Sequence, residues 1–394
     1  MPRRVCELVF SYYPGDARVR RVAESLSQGG YHVEVLCLRD KGESKSERVR
    51  GVQVRRLDLR HRRLGPARLI GEYLAFMVWG LLQISVRHLG HPYDLIHVHN
   101  MPEMLVFCAV LPKLTGTRVI LDLHDPMPEI FLAEFQVSEN HPMIKLLRLI
   151  ERISTAFADV VITTNIAFRD LFISRGVKKE KIHMVMNSPQ ETIFEQTRVV
   201  ENQVGASSSP KWRMIYHGTI LRRQGLDTAI MAVDRLRRKI PGLELRVYGA
   251  GEFLPEVKKM VLAAGLQGIV TFHGVVTLEE IAEALTKTDL VLVPNKLNAF
   301  TNINLPTRIF EALSMHKPVI APRTRGIRDY FDEESIFFFE AGNPADLAKV
   351  MFEVYSNTEG RERKVNKGMR IYEKFKWSGE ASRLLALVNG IQAR

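Results

Sequence analysis

The chain has 394 residues, more than one compact core ordinarily holds, so two domains of similar size are expected. Its 46% hydrophobic and 25% charged content is that of an ordinary globular protein and excludes disorder on a large scale. The formal charge of +12 calls for an anionic partner, either phosphates, nucleic acid or an anionic lipid surface. With no zinc-finger, helix-turn-helix or RNA-recognition signature, and no aromatics interleaved with the basic residues, nucleic acid is not the expected partner.

The opening MPRRVCELVFSYYPGD has a basic start, but its apolar run gives way to turn residues too soon for a secretory signal, so a cytoplasmic protein is expected. Short apolar or β-branched runs at Val5–Phe10, Val33–Leu38, Val52–Leu57, Leu95–His99, Val119–Leu123, Val160–Thr164 and Ile182–Met186 predict strands, with helical patterns between most of them. Basic residues concentrate between Arg48 and Arg68, immediately before the apolar run Leu69 to Val86, an order that fits an anionic membrane surface better than a nucleic-acid groove. That run, LIGEYLAFMVWGLLQISV, is long enough to span a bilayer but carries Glu72, Gln83 and two glycines. A central carboxylate is costly in hydrocarbon, so a buried or interfacial helix is expected, with peripheral attachment to the inner face of the cytoplasmic membrane left open. The cysteines Cys6, Cys37 and Cys108 all sit in apolar runs without Cys-x-x-Cys spacing, which points to buried thiols and neither a disulfide frame nor a metal.

Around Gln196 to Pro210 the alternation breaks into a polar, Ser-rich stretch that reads as an interdomain linker. A second alternation follows, with strands predicted at Met214–His217, Leu243–Tyr248, Val270–Phe272, Leu290–Val293, Val319–Ala321 and Ile336–Phe339. Strands alternating with helices imply parallel sheets, hence an α/β fold of two Rossmann-like domains facing across a cleft, with ligands at the carboxyl ends of the strands. The expected boundaries are 1–200, 201–376 and a terminal segment 377–394. Neither half carries Gly-x-Gly-x-x-Gly after its first strand, which weighs against a nicotinamide dehydrogenase, and Walker, Gly-x-Ser-x-Gly and HExxH motifs are missing as well.

The richest segment is NAFTNINLPTRIFEALSMHKPVIAP, from Asn298 to Pro322. A polar loop opens a short helix, whose first-turn N–H groups favour an anion; Arg308 adds a fixed cation, and Glu311 follows three residues later on the same side. That is a seat for a nucleotide diphosphate, with Glu311 accepting from ribose hydroxyls; an ordinary amphipathic helix in which Arg308 and Glu311 pair stays open from this segment alone. Gly218, Arg222 and Arg223 follow the first strand of the second half, and Gly249 and Gly251 follow the next, allowing forked contacts and close backbone approach to a diphosphate or base. In the first half, polar groups end three strands: Tyr12 to Asp16, His97 to Asn100, and Asp122 to Asp125. His97 and His99 fall on one face of a strand, yet no carboxylate cluster completes a metal motif, so no metal is expected. His97 reads as a core histidine, and His124 as the functional one.

Taken in order, YPGDARVRRVAESLSQGGYHVEVL, YDLIHVHN, VILDLHDPMPE, DVVITTN, KIHMVMNSP, YHGTILRRQGLDTAI, LRVYGAGE, TFHGVV, DLVLVPN, LPTRIFEALSMHKPVIA and FFFEAGNPADLA resemble the family-4 retaining glycosyltransferases of GT-B fold over nearly the entire chain. The resemblance implies that the second domain binds a nucleotide-diphosphate sugar, UDP- or GDP-linked. It further implies that the first binds a glycan or lipid-linked acceptor, and that transfer proceeds with retention and without metal, in surface polysaccharide or glycolipid synthesis. By motif, Glu311 matches the ribose-binding glutamate, Arg308 a basic residue facing the diphosphate, and His124 a strand-end histidine near the donor sugar. Asn302, Ile303, Asn304 and Leu305 correspond to a loop whose backbone amides meet sugar and phosphates, Gly15 to a first-strand loop approaching the donor, and the segment after Trp377 to a terminal helix crossing back to the first domain. The chain departs from the family pattern at Ile303, where many relatives carry a first glutamate, and at Thr219 and Gln224, where they carry Arg and Lys. Arg222 or Arg223 is the expected substitute for that pair; a noncatalytic nucleotide-sugar-binding scaffold is the alternative function these departures leave.

Overall fold

The computed structural model describes residues 2–59, 66–195 and 211–392. The chain forms two compact units, one of residues 1–187 with 380–394 and one of 188–379. The predicted linker around 196–210 lies wholly outside the described residues.

The first unit holds strands β1 (Arg4–Tyr12), β2 (His32–Leu38), β3 (Ser46–Val49), β4 (Val52–Leu57), β5 (Leu95–His99), β6 (Arg118–Leu123), β7 (Val160–Thr163) and β8 (Ile182–Met184). They form one sheet in the order β3-β4-β2-β1-β5-β6-β7-β8, parallel except for β3. The near-continuous apolar runs of β1, β5 and β6 are those of strands covered on both faces. β3 escapes the sequence reading because SERV is a polar edge strand; it is hairpinned to β4 through Arg50 and Gly51, both at positive φ.

Helices α1 (Ala17–Gln28), α2 (Pro66–Gly90), α3 (Val110–Leu114), α4 (Met127–Phe135), α5 (Pro142–Phe157) and α6 (Ile166–Ser174) make the crossovers. The chain moves one way across the sheet from β1 to β2 and the other way from β4 to β8, so right-handed crossovers place α1 on one face and the later helices on the other. The terminal helix Trp377–Gln392 joins this unit from Glu380 onward: the Glu380 carboxylate accepts from the Met186 amide at 2.8 Å, and Tyr31 Oη donates to Asn389 at 2.5 Å.

The second unit is a parallel sheet of β9 (Trp212–His217), β10 (Leu243–Tyr248), β11 (Val270–Gly274), β12 (Leu290–Leu292), β13 (Val319–Pro322) and β14 (Phe337–Phe339), in the order β11-β10-β9-β12-β13-β14. Met214, Leu245, Leu290 and Ile320 are wholly buried in its core. The order reverses between β9 and β12, and between β1 and β5 in the first unit. At such switch points the loops leave in opposite directions and open a crevice at the strand ends.

Candidate functional site

In the second unit the switch point is occupied by side chains from three strand ends and one helix. The helix Thr307–Ser314 begins at Pro306, which supplies no side-chain cap, so its first amides keep their donors. Arg308, in its first turn, donates from Nη1 to the His217 carbonyl at 3.0 Å, and from Nη2 to Gln224 Oε1 at 2.8 Å and Asn295 Oδ1 at 3.2 Å. Its guanidinium lies 5.0 Å from the centre of the Tyr216 ring. Glu311, one turn on and buried, meets His217 Nε2 at 2.6 Å. Arg308 and Glu311 therefore do not pair with each other: the carboxylate is held by a histidine, and the cation by neutral acceptors.

Glycines let the backbones close around this point. A Cβ on Gly249, at φ +124°, would lie 1.9 Å from the Gly218 carbonyl oxygen, and one on Gly251 would lie 2.1 Å from that of Ile220. A Cβ on Gly218 would lie 3.8 Å from the Arg308 side chain. Of the two loop arginines, Arg222 donates from Nη2 alone to the Glu256 carboxylate at 2.5 Å and lies over Phe253, whereas Arg223 lies over Phe300. Gln224, where the family this chain resembles carries a lysine, gives Arg308 an acceptor in place of a repelling charge.

The loop before the helix is held by its own backbone. The amides of Asn302, Ile303 and Asn304 already donate to the carbonyls of Asn298 and Phe300, at 3.0, 3.1 and 3.0 Å. These bonds close the loop on itself, and in the first turn of the helix the Ile309 amide donates to the Pro306 carbonyl at 3.0 Å. Ile303, at the position of the missing glutamate, is buried.

In the first unit, Gly15 lies in the turn after β1, and Asp16 caps α1 by accepting from the amides of Arg18 and Val19. Asn100, at the end of β5, donates to the Asp125 carbonyl at 2.5 Å and accepts from the His124 amide at 3.3 Å, tying two strand ends together. Beneath them lies a largely buried ionisable cluster. Arg18 forks onto both oxygens of Asp122 at 2.8 and 3.0 Å; His99 contacts Asp122 and Glu7, each at 3.4 Å; and His124 Nδ1 is 3.6 Å from Asp122. Burial alone would raise the Asp122 carboxyl, but Arg18 and the surrounding histidines hold it well below the usual carboxylate range. Burial opposes a charge on His99, yet contacts with Asp122 and Glu7 outweigh it and push its pKa up to about 9. His97, beside it, is pushed down by burial and by His99.

The fold thus supplies the carboxylates that the sequence reading did not find near His97 and His99, namely Glu7 and Asp122. Arg18 donates to both Asp122 oxygens, and the His97 and His99 rings stack with their centres 4.3 Å apart. The cluster reads as a charge-balanced network whose partly exposed end is His124. His217, Asn295, Glu7 and Arg18 were missed as site residues. A glutamate in the middle of the buried run VCELVF was the signal available for Glu7.

Comparison with known proteins adds the family. Residues 15–188 match the model of the glycosyl transferase 4-like domain, and residues 200–370 that of the glycosyl transferases group 1. The chain belongs to the family-4 glycosyltransferases of GT-B fold. This glycosyltransferase is 25% identical over 354 residues to a D-inositol 3-phosphate glycosyltransferase of Arthrobacter sp. (strain FB24), a match covering 87% of this chain and 82% of that one. In fold it is similar to sucrose-phosphate synthase of Thermosynechococcus elongatus, with a TM-score of 0.80, 18% identity and 99% of both chains covered. It is also similar to HepE of Anabaena, solved with UDP and glucose, with a TM-score of 0.71, 16% identity, and 98% of this chain and 100% of that chain covered.

Proposed function

We propose that this glycosyltransferase takes a sugar from a UDP- or GDP-sugar and moves it, with retention and without metal, to a glycan or lipid-linked acceptor in surface polysaccharide or glycolipid synthesis on the cytoplasmic side of a membrane. The observation that carries the reading is Arg308, a cation held by neutral acceptors at a strand-order reversal, one helical turn from a buried carboxylate. The bond between the sugar C1 and the diphosphate oxygen breaks, the acceptor oxygen bonds to C1, and its proton passes to the departing phosphate. Charge grows on that phosphate as the bond breaks, and Arg308 with the first-turn amides stabilises it where it develops. Glu311, steadied by His217, receives the ribose hydroxyls. His124 is assigned to sugar hydroxyls. The UDP and glucose of the HepE structure support a donor of this kind.

The test is thermal stabilisation of the purified protein by UDP-, GDP-, ADP- and TDP-sugars and by the free nucleotides, repeated on Glu311→Ala, together with release of free nucleotide from the best donor. Selective stabilisation that Glu311→Ala abolishes, with turnover, is expected. Stabilisation without turnover, even with acceptor extracts, identifies a scaffold and overturns the enzymatic reading.

A further inference from the structure

α2 is the one helix among the described residues long and apolar enough to cross a membrane, yet only 22% of its most apolar stretch is buried. One side is anchored in the first unit. Phe76 and Ile84 are buried, and Gly80 brings the helix so close that an added Cβ would lie 3.2 Å from Leu8 and 3.4 Å from Cys108. The outer side is bare: Ile70, Leu74, Val78, Leu82, Val86 and Leu89 are 46–71% exposed. Glu72, the sole charge between Leu69 and Val86, is turned inward and paired with Arg68 at 2.9 Å.

The apolar surface continues on the same side of the sheet. α2 and α5 both pack against the turn Glu103–Ala109, and α5 exposes Leu146, Leu149 and Ile153. Basic residues are set among these: Lys145 and Arg152 are exposed, and Arg148, Arg152 and Arg175 line a recess of about 280 Å³ with Leu149. The acid on α5, Glu151, is buried against Arg175.

We infer that the outer face of α2 and α5 lies on an anionic lipid bilayer, with α2 in the plane of the interface and the α5 cations among the lipid phosphates. A helix with one side packed on a folded unit cannot thread a bilayer, but over about 37 Å it can sink its other side into the acyl boundary. Charge decides the occupant. A second copy of this chain would bring the same cations to the contact, whereas anionic headgroups neutralise them. The inference deepens the reading of a membrane-borne acceptor and rests on it only for its purpose, since donor turnover can be read without vesicles.

The experiment is flotation of the full chain with phosphatidylcholine vesicles, with and without phosphatidylglycerol. It is run beside Leu74→Glu/Val78→Glu/Leu82→Glu and Lys145→Glu/Arg152→Glu, with thermal stability and vesicle-free donor hydrolysis as controls. Wild type should float with the anionic vesicles only. The apolar triple variant should lose about a hundredfold or more in affinity, from three side chains leaving hydrocarbon, and the basic variant should lose its preference for anionic lipid. Both variants should keep wild-type thermal stability and hydrolysis. Undiminished flotation of the triple variant overturns the inference, and so does a wild type that ignores anionic vesicles. A wild-type dimer that the triple variant dissolves would assign the face to a second copy instead. Failure of donor hydrolysis in every protein, with flotation as expected, would count against the catalytic reading alone.

Discussion

Replacing Arg308 by alanine should separate catalysis from folding. The side chain engages three neutral acceptors, at 3.0, 2.8 and 3.2 Å, and no carboxylate lies within ion-pair reach of it among the described residues. A guanidinium carries five N–H donors, so some remain for an incoming phosphate while its full charge stays uncompensated. Loss of one such group at a developing charge costs about 3–4 kcal/mol in the transition state, or roughly 10²–10³ in kcat. The folded protein loses less, about 1–2 kcal/mol, mainly from buried Asn295 left without its donor. The assay is donor hydrolysis and transfer by released nucleotide, with the apo-protein Tm alongside. Arg308→Lys should recover only part of kcat, because an ammonium restores charge without the fork. A folded Arg308→Ala protein whose kcat stays within about threefold of wild type would refute the assignment of Arg308 to the leaving group.

Two further outcomes follow from the packing. Gly249→Ala puts a Cβ 1.9 Å from the Gly218 carbonyl oxygen at a φ of +124°, so it should lower the stability of the second unit by about 3 kcal/mol or more and remove nucleotide-induced stabilisation, as read by denaturant unfolding with and without donor. For His99, a folded pKa of about 9 against about 6.5 unfolded means stabilisation that is complete below about pH 6.5 and lost as pH rises through about 9, on the order of 3 kcal/mol. Asp122, Glu7 and His97 face it, with Arg18 behind Asp122. Unfolding of the first unit should weaken over that window in wild type and flatten in His99→Gln, and a wild-type profile without that decline would sink the argument.

Which parts of this were legible in sequence depends on how locally each feature is encoded. Parallel strands covered on both faces must be continuous apolar runs, and the alternation located them; β3, polar and at an edge, carries no such run. Arg308 and Glu311 were legible because three residues of helix set their spacing. Their partners were not, since His217 meets Glu311 across 94 positions and Gln224 meets Arg308 across 84, and only the sheet order brings them together. The same holds for Arg18 and Asp122, 104 positions apart. In α2 the composition was plain but its outward side was not. Amphipathicity is read from contrast, and a stretch with a single charge offers almost none.

The two units each hold an arginine at the reversal of their sheet, and their surroundings make different things of it. Arg18 is 3% exposed and forks onto a carboxylate whose other neighbours are histidines, so its charge is balanced inside the protein. Removing it would leave Asp122 buried and uncompensated, which is a stability effect. Arg308 is only partly buried and is fixed by two amide side chains and a carbonyl, groups that orient a guanidinium without neutralising it. A cation rigidly held and left uncompensated has no gain in the empty protein that water would not match. Its arrangement makes physical sense when an anion is delivered to it, and Gln224 strengthens this reading. A lysine there would have spread positive charge over the loop, whereas the amide gathers it on Arg308 and leaves a single oriented fork to meet the phosphate.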